Sequence, residues 1–223
     1  MILCRDCQSR MPLIHGPTCY MCGKPLNDSR QELCYDCRIF PKSFDKGLSL
    51  FLYNSMTRSS ITAFKYHNQR YLSDFFISAI WRRHNRELIR WHPDAVIPIP
   101  IHKNKRKKRG YNQTELIAVR LARLLGIPCC ADLLLRRIDT LPQKQFSPQA
   151  RLNNLNRAFC LNPAYLDEEG RIRGGGPETV LLVDDIYTTG ATMESCTRLL
   201  KSAGISRVYV CSLCIGVSRD EIV

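Results

Sequence analysis

The stretch VLLVDDIYTTGAT, residues 180–192, constrains this chain more than any other. Val180, Leu181, Leu182 and Val183 form a short continuous apolar run, the pattern of a strand buried on both faces of a parallel sheet. Two carboxylates, Asp184 and Asp185, come next. After them stand Thr188, Thr189, Gly190, Ala191 and Thr192, small and rich in hydroxyls. From Thr192 the apolar spacing of Met193, Cys196, Leu199 and Leu200 predicts a helix ending near Gly204. The order is strand, acidic turn, small-residue loop, helix. Backbone N–H groups at a helix start lack partners and carry the positive end of the helix dipole, so a Thr/Gly loop entering one can wrap a phosphate. Two adjacent acids repel a phosphate, but they accept hydrogen bonds from sugar hydroxyls or approach a divalent cation through water. The ligand implied is a phosphorylated ribose carrying Mg²⁺.

This motif resembles the phosphoribosyl-pyrophosphate (PRPP) loop of type I phosphoribosyltransferases. A generic strand-to-helix turn explains it less well, because bare turn chemistry does not ask for two acids and three threonines together.

The first 42 residues are a cysteine module. Three Cys-x-x-Cys pairs, Cys4/Cys7, Cys19/Cys22 and Cys34/Cys37, are separated by eleven residues each. Two such knuckles supply four thiolates to a tetrahedral Zn²⁺, and the module has too few apolar residues to fold without a staple. A redox Cys-x-x-Cys belongs at the start of a helix in a βαβ unit, which is absent here. Gly23 after the second pair suits a zinc knuckle, and Cys34/Cys37 lie at ribbon distance from it. The expected ligands are therefore Cys19, Cys22, Cys34 and Cys37, with about one zinc per chain. Cys4 and Cys7 remain, as half of a second site or as free thiols. Cys211 and Cys214 fall in a strand, where residues three apart face opposite ways and cannot share a metal. They read as small buried residues, as do Cys129, Cys130, Cys160 and Cys196.

The chain has 223 residues, enough for one ordinary domain and something small, and its formal net charge of +13 predicts anionic partners. No secretory leader is recognisable at Met1–Cys7 and no apolar run approaches the ~18 residues of a membrane span, so a cytoplasmic protein without membrane insertion is expected. Between the module and the phosphate loop, strands are expected over residues 47–53, 94–101, 127–135 and 157–161, and helices over 59–66, 71–91 and 115–125. The arginines at 82, 83, 86 and 90 read chiefly as a solvated face. His67, His84 and His92 have no partner at ligand spacing. Residues 103–113 read as a basic loop with six cations in seven positions, Lys103 to Arg109, whose mutual repulsion favours an anion among them: pyrophosphate or nucleic acid. Residues 136–156, with few apolar positions and no clean period, read as a long lid loop containing a short helix at 149–155. A last strand is expected over 207–216.

Taken in order, the cysteine module, IPIPIHKNKRKKRGYNQTELIA, the RLNNLNRAF segment and VLLVDDIYTTGAT resemble the ComF family (ComFC and GntX-like proteins) over nearly the whole chain. The resemblance implies a zinc ribbon over 1–42 on a type I phosphoribosyltransferase domain over 43–223, with a mostly parallel central sheet flanked by helices. It also implies a role in DNA uptake, for transformation or nutrition. By matching positions, Asp184 and Asp185 face the ribose hydroxyls and Mg²⁺ of PRPP, Thr188 to Thr192 wrap the 5-phosphate, and the loop with Lys103 and Arg109 faces pyrophosphate. Longer relatives carry a further cysteine pair, which marks Cys19/Cys22/Cys34/Cys37 as the complete site. Single-stranded DNA suits the surplus of cations, and a competence helicase is a partner by family analogy alone. Where purine phosphoribosyltransferases carry an acid acting on the base, this chain has Thr188, so the acceptor is not legible. A PRPP sensor or DNA-binding scaffold without turnover is the alternative, and transcriptional control through the ribbon a weaker one.

Overall fold

The computed structural model describes residues 8–66, 69–138 and 158–217. Its strands are β1 (Lys46–Leu52), β2 (Ala95–Pro98), β3 (Leu134–Arg136), β4 (Phe159–Leu161), β5 (Thr179–Tyr187) and β6 (Arg207–Ile215). Its helices are α1 (Tyr35–Ile39), α2 (Ser55–Tyr66), α3 (Leu72–Arg90), α4 (Lys103–Arg109), α5 (Gln113–Leu125) and α6 (Ala191–Ser202). Four strands make a parallel sheet in the order β1-β6-β5-β2, and β3 pairs antiparallel with β4 apart from it.

The apolar run of β5 is buried on both sides because alternate residues enter two different cores. Val180 and Leu182, with Val208 and Val210 of β6, pack against Met193, Cys196 and Leu200 of α6 and against the cysteine module. Leu181 and Val183 face the other way, into a core with Ile61 and Phe64 of α2, Phe76 and Ile80 of α3, and Ile117 and Leu121 of α5. Asp184 and Asp185 therefore stand at the carboxyl end of a central strand, where open parallel sheets collect their ligands.

The module is joined to the sheet by backbone. Leu13 bridges Phe51 antiparallel, the Ile14 N–H donates to the Leu50 carbonyl at 3.1 Å, and the Leu52 N–H donates to the Pro12 carbonyl at 2.8 Å. Gly47 permits this approach: a Cβ there would lie 2.6 Å from Val210 Cγ2 and 3.3 Å from Cys22 Cα.

Two expectations are corrected. Residues 103–109 form helix α4 and not a loop, because lysine and arginine are good helix formers and both ends are capped. The His102 ring accepts from the Asn104 N–H, and Gly110 stops the helix at φ +78°. The strand expected over 127–135 is reduced to one parallel bridge, Val96 to Cys129, followed by β3 at Leu134–Arg136. Pro128 has no N–H to donate before that bridge and Pro98 none after it, so pairing with the β2 edge stops there. Cys129, Cys130 and Cys160 are half-buried and not core residues, whereas Cys196, Cys211 and Cys214 are buried. Residues 139–156 of the expected lid loop, with its helix at 149–155, and Cys4, Cys7 and His67 lie outside the described residues. No described helix is long and apolar enough to cross a membrane.

Candidate functional site

Asp184 is half-buried and Asp185 is 9% exposed. The Asp185 N–H donates to Asp184 Oδ1 at 2.8 Å, and both acids lie within strand β5, not in the turn expected after it. Burial first, and then the Asp185 charge, push Asp184 up to about 7. Lys65 Nζ stands 2.6 Å from Asp185 Oδ2. Burial works against this ammonium, but the Asp185 carboxylate more than offsets it and the Lys65 pKa is raised. The sequence marks Lys65 only as the middle of Phe-Lys-Tyr, and its partner lies 120 positions away.

The Arg109–Gln113 run holds Lys65 there. The Tyr111 hydroxyl donates to the Phe64 carbonyl, and the Gln113 side chain donates to the Lys65 carbonyl at 3.5 Å. Asn112 caps α5 at the Thr114 N–H and donates to the Ile99 carbonyl at 3.1 Å. This run welds the end of α2 to the exit of β2. Arg109, expected at the pyrophosphate, donates to Gln113 Oε1 at 3.0 Å and to the Tyr66 hydroxyl at 2.7 Å, with its guanidinium 4.5 Å from the Tyr66 ring centre. It bears electrostatically on Lys65 and so belongs to this end of the sheet. Lys103 is exposed at the first turn of α4, and among the described residues nothing joins it to the acid pair. Arg136 at the end of β3 favours the charged form of Asp184, a neighbour the sequence did not suggest.

β5 runs through Tyr187, so the loop proper is Thr188, Thr189 and Gly190, and α6 opens at Ala191, one residue earlier than expected. Gly190 sits in the left-handed region at φ +76°, and a Cβ there would lie 2.1 Å from the Tyr187 hydroxyl oxygen. That hydroxyl is buried without a hydrogen-bond partner. Its pKa is raised far above the usual range, first by burial and then by the Cys22, Cys37 and Cys34 sulfurs. Tyr187, the floor of the loop, shares one buried core with Cys19, Cys22, Cys34 and Cys37.

The Cys19, Cys22, Cys34 and Cys37 sulfurs are buried and lie within 4.8 Å of one another. The Cys22 and Cys34 sulfurs are 3.7 Å apart. Four ligands at a Zn–S distance of about 2.3 Å, arranged tetrahedrally, would be separated by about 3.8 Å, so the residues fit structural zinc. Among the described residues no other cluster of this kind occurs. A separate cleft between the module, β1 and α3 is lined by Lys46, Arg83, His84, Arg86 and Glu87. Part of the arginine run is spent there: Arg83 donates to the Ile14 carbonyl at 3.2 Å and Arg90 pairs with Glu87 at 2.5 Å.

Comparison with known proteins accords with both halves. A double zinc ribbon domain matches residues 1–38, and a phosphoribosyl transferase domain matches residues 115–221. Competence protein F of Haemophilus influenzae is 32% identical over 95% of this chain and 89% of its own length. The chain belongs to the ComF family. Competence protein ComFC of Bacillus subtilis is 27% identical over 91% of the chain and 79% of its own length. The DNA utilization protein YhgH of Escherichia coli O157:H7 is 32% identical over 55% of the chain and 49% of its own length. The fold is that of a type I phosphoribosyltransferase with an N-terminal zinc ribbon.

Proposed function

We propose that this ComF-family chain binds PRPP with Mg²⁺ at Asp184, Asp185 and the 188–192 loop, and transfers the phosphoribosyl group during DNA uptake. The observation that carries this is the acid pair kept intact at the carboxyl end of β5, with a lysine ammonium against it and a left-handed glycine opening the helix behind it. Two carboxylates and sugar hydroxyls are hard oxygen donors suited to Mg²⁺, which when bound neutralises a pyrophosphate leaving group. Lys65 and Arg136 add positive charge beside the acids, and the loop N–H groups hold the 5-phosphate. The chemistry is positioning plus charge stabilisation, and the chain need not supply a nucleophile. Calorimetric titration of Mg–PRPP tests it. The wild type binds, and the Asp184→Asn/Asp185→Asn variant, folded by circular dichroism, loses roughly 100-fold or more in affinity, the combined worth of two charge-assisted contacts. Equal binding by both proteins would reject the assignment.

A second activity, holding single-stranded DNA, is favoured by a specific surface. α4 carries six cations in seven residues, and Tyr66, which Arg109 of α4 contacts, is 58% exposed. Cations that track phosphates together with exposed rings that stack on bases are the two components of single-strand binding. If about five phosphates are neutralised, the logarithm of affinity falls against the logarithm of salt with a slope of about −3.5. Fluorescence anisotropy with an oligothymidylate checks this, and a slope near zero would exclude the surface.

A further inference from the structure

We infer that residues 42–44, the segment leaving the cysteine module, are part of the phosphate subsite: Lys42 positions the loop, and the ribbon is the anchor from which the loop hangs. The inference rests on the phosphate reading of residues 188–192. An anion-binding loop works only when its N–H groups, and not its carbonyls, are offered to the ligand. Lys42 Nζ donates to the Thr189 carbonyl oxygen at 3.2 Å, across 147 positions of sequence. The ammonium therefore takes up a loop carbonyl, a contact that uses one of its three donors. Ser43 follows with two contacts to one carboxylate: its N–H lies 2.7 Å from Glu194 Oε2 and its hydroxyl 2.6 Å from Glu194 Oε1. Glu194 is 3% exposed and belongs to the first turn of α6, so this pair ties the helix start to the segment. Phe44, 1% exposed, then meets the Tyr187 ring edge-on at 6.4 Å between centroids, and Tyr187 is the floor under Gly190.

Three consecutive residues thus hold the loop at its carbonyl, at its helix and at its floor. They begin five residues after Cys37, the last cysteine of the cluster. The sulfur cluster, Phe44, Tyr187 and Met193 share one core. The ribbon in this chain is therefore structural support for a sugar-phosphate site.

The experiment titrates zinc-loaded wild type, Lys42→Met and Lys42→Arg with ribose 5-phosphate, Mg–PRPP and Mg–pyrophosphate. Loss of one charge-assisted contact predicts about a tenfold fall for Lys42→Met with both sugar phosphates and none with pyrophosphate. Lys42→Arg recovers most of the loss, which a merely structural defect would not. Amide exchange over 188–192 rises in Lys42→Met while that of Ile117 to Ala122, buried in α5, is unchanged. Wild-type binding with an unaffected Lys42→Met variant would overturn this inference and leave the phosphate reading standing. No sugar-phosphate binding by wild type would overturn both.

Discussion

Replacing Cys34 with serine is expected to empty the metal site and cost the protein its native stability. The module has few apolar residues to hold it: beside the four sulfurs its interior has Met11, Ile14 and Leu26 and the Lys24–Asp36 ion pair at 2.6 Å, with Lys24 only 2% exposed. A buried ammonium paired with a carboxylate that is 33% exposed does not substitute for an apolar core, because desolvation and solvent screening offset most of their attraction. Structural zinc contributes about 10–16 kcal/mol to the folding of isolated zinc modules, so the ribbon without metal is unfolded. The damage would spread, because residues 12–14 cover the β1 edge and their loss exposes a pairing surface prone to aggregation. Elemental analysis should find about one zinc per wild-type chain and none in Cys34→Ser, and the thermal midpoint should fall by more than about 10 °C. Retained zinc, or an unchanged midpoint, would refute this account. Cys211→Ala, by contrast, leaves the zinc content intact, since that thiol is buried in the far core, where burial pushes its pKa up to about 12.

The second large effect is at Gly190. An alanine there pays about 1–2 kcal/mol for the left-handed backbone, and its Cβ also meets the Tyr187 hydroxyl oxygen at 2.1 Å and Cζ at 2.5 Å. Tyr187 is 3% exposed and packed against Phe44, so the ring has nowhere to swing. Overpacking of this kind costs about 1–3 kcal/mol more, for a total of about 2–5 kcal/mol and a fall in midpoint on the order of 10 °C. Gly126 is the control: it has φ +71° with nothing within 4 Å, so Gly126→Ala pays only the backbone term. Denaturant unfolding of the two variants separates strain from clash. Equal losses would show that the Tyr187 contact is unimportant. Removing the buried, unpaired hydroxyl by Tyr187→Phe should leave stability unchanged or raise it, and should recover part of the Gly190→Ala loss. The distorted loop should also bind ribose 5-phosphate more weakly in Gly190→Ala than in Gly126→Ala.

The order of elements over residues 180–204 was legible because each local signal agrees with its neighbours, an apolar run, a glycine where φ is positive, then a helical period, although the acid pair expected in a turn lies inside β5. The four clustered cysteines were legible because Cys-x-x-Cys spacing marks a zinc knuckle, with Gly23 and the family resemblance choosing among three equally spaced pairs. α4 was misread because charge repulsion argues for an open loop, while helix propensity and two caps, one from a histidine ring, decide otherwise. The strand expected before β3 was misread because a short apolar stretch says nothing of whether an edge is free to pair.

By itself, then, the chain's order of residues determines a buried strand carrying an acid pair, a small-residue loop entering a helix and a thiol cluster, since each depends on neighbours a few positions apart. Only the tertiary structure decides that Lys65 meets Asp185, that Arg109 stacks on Tyr66, and that Lys42 and Ser43 reach Thr189 and Glu194. Those contacts span from 43 to 151 positions. No local period or propensity encodes them: they exist because packing two cores on opposite faces of one sheet brings the end of α2, the start of α5 and the exit from the ribbon to the same end of β5.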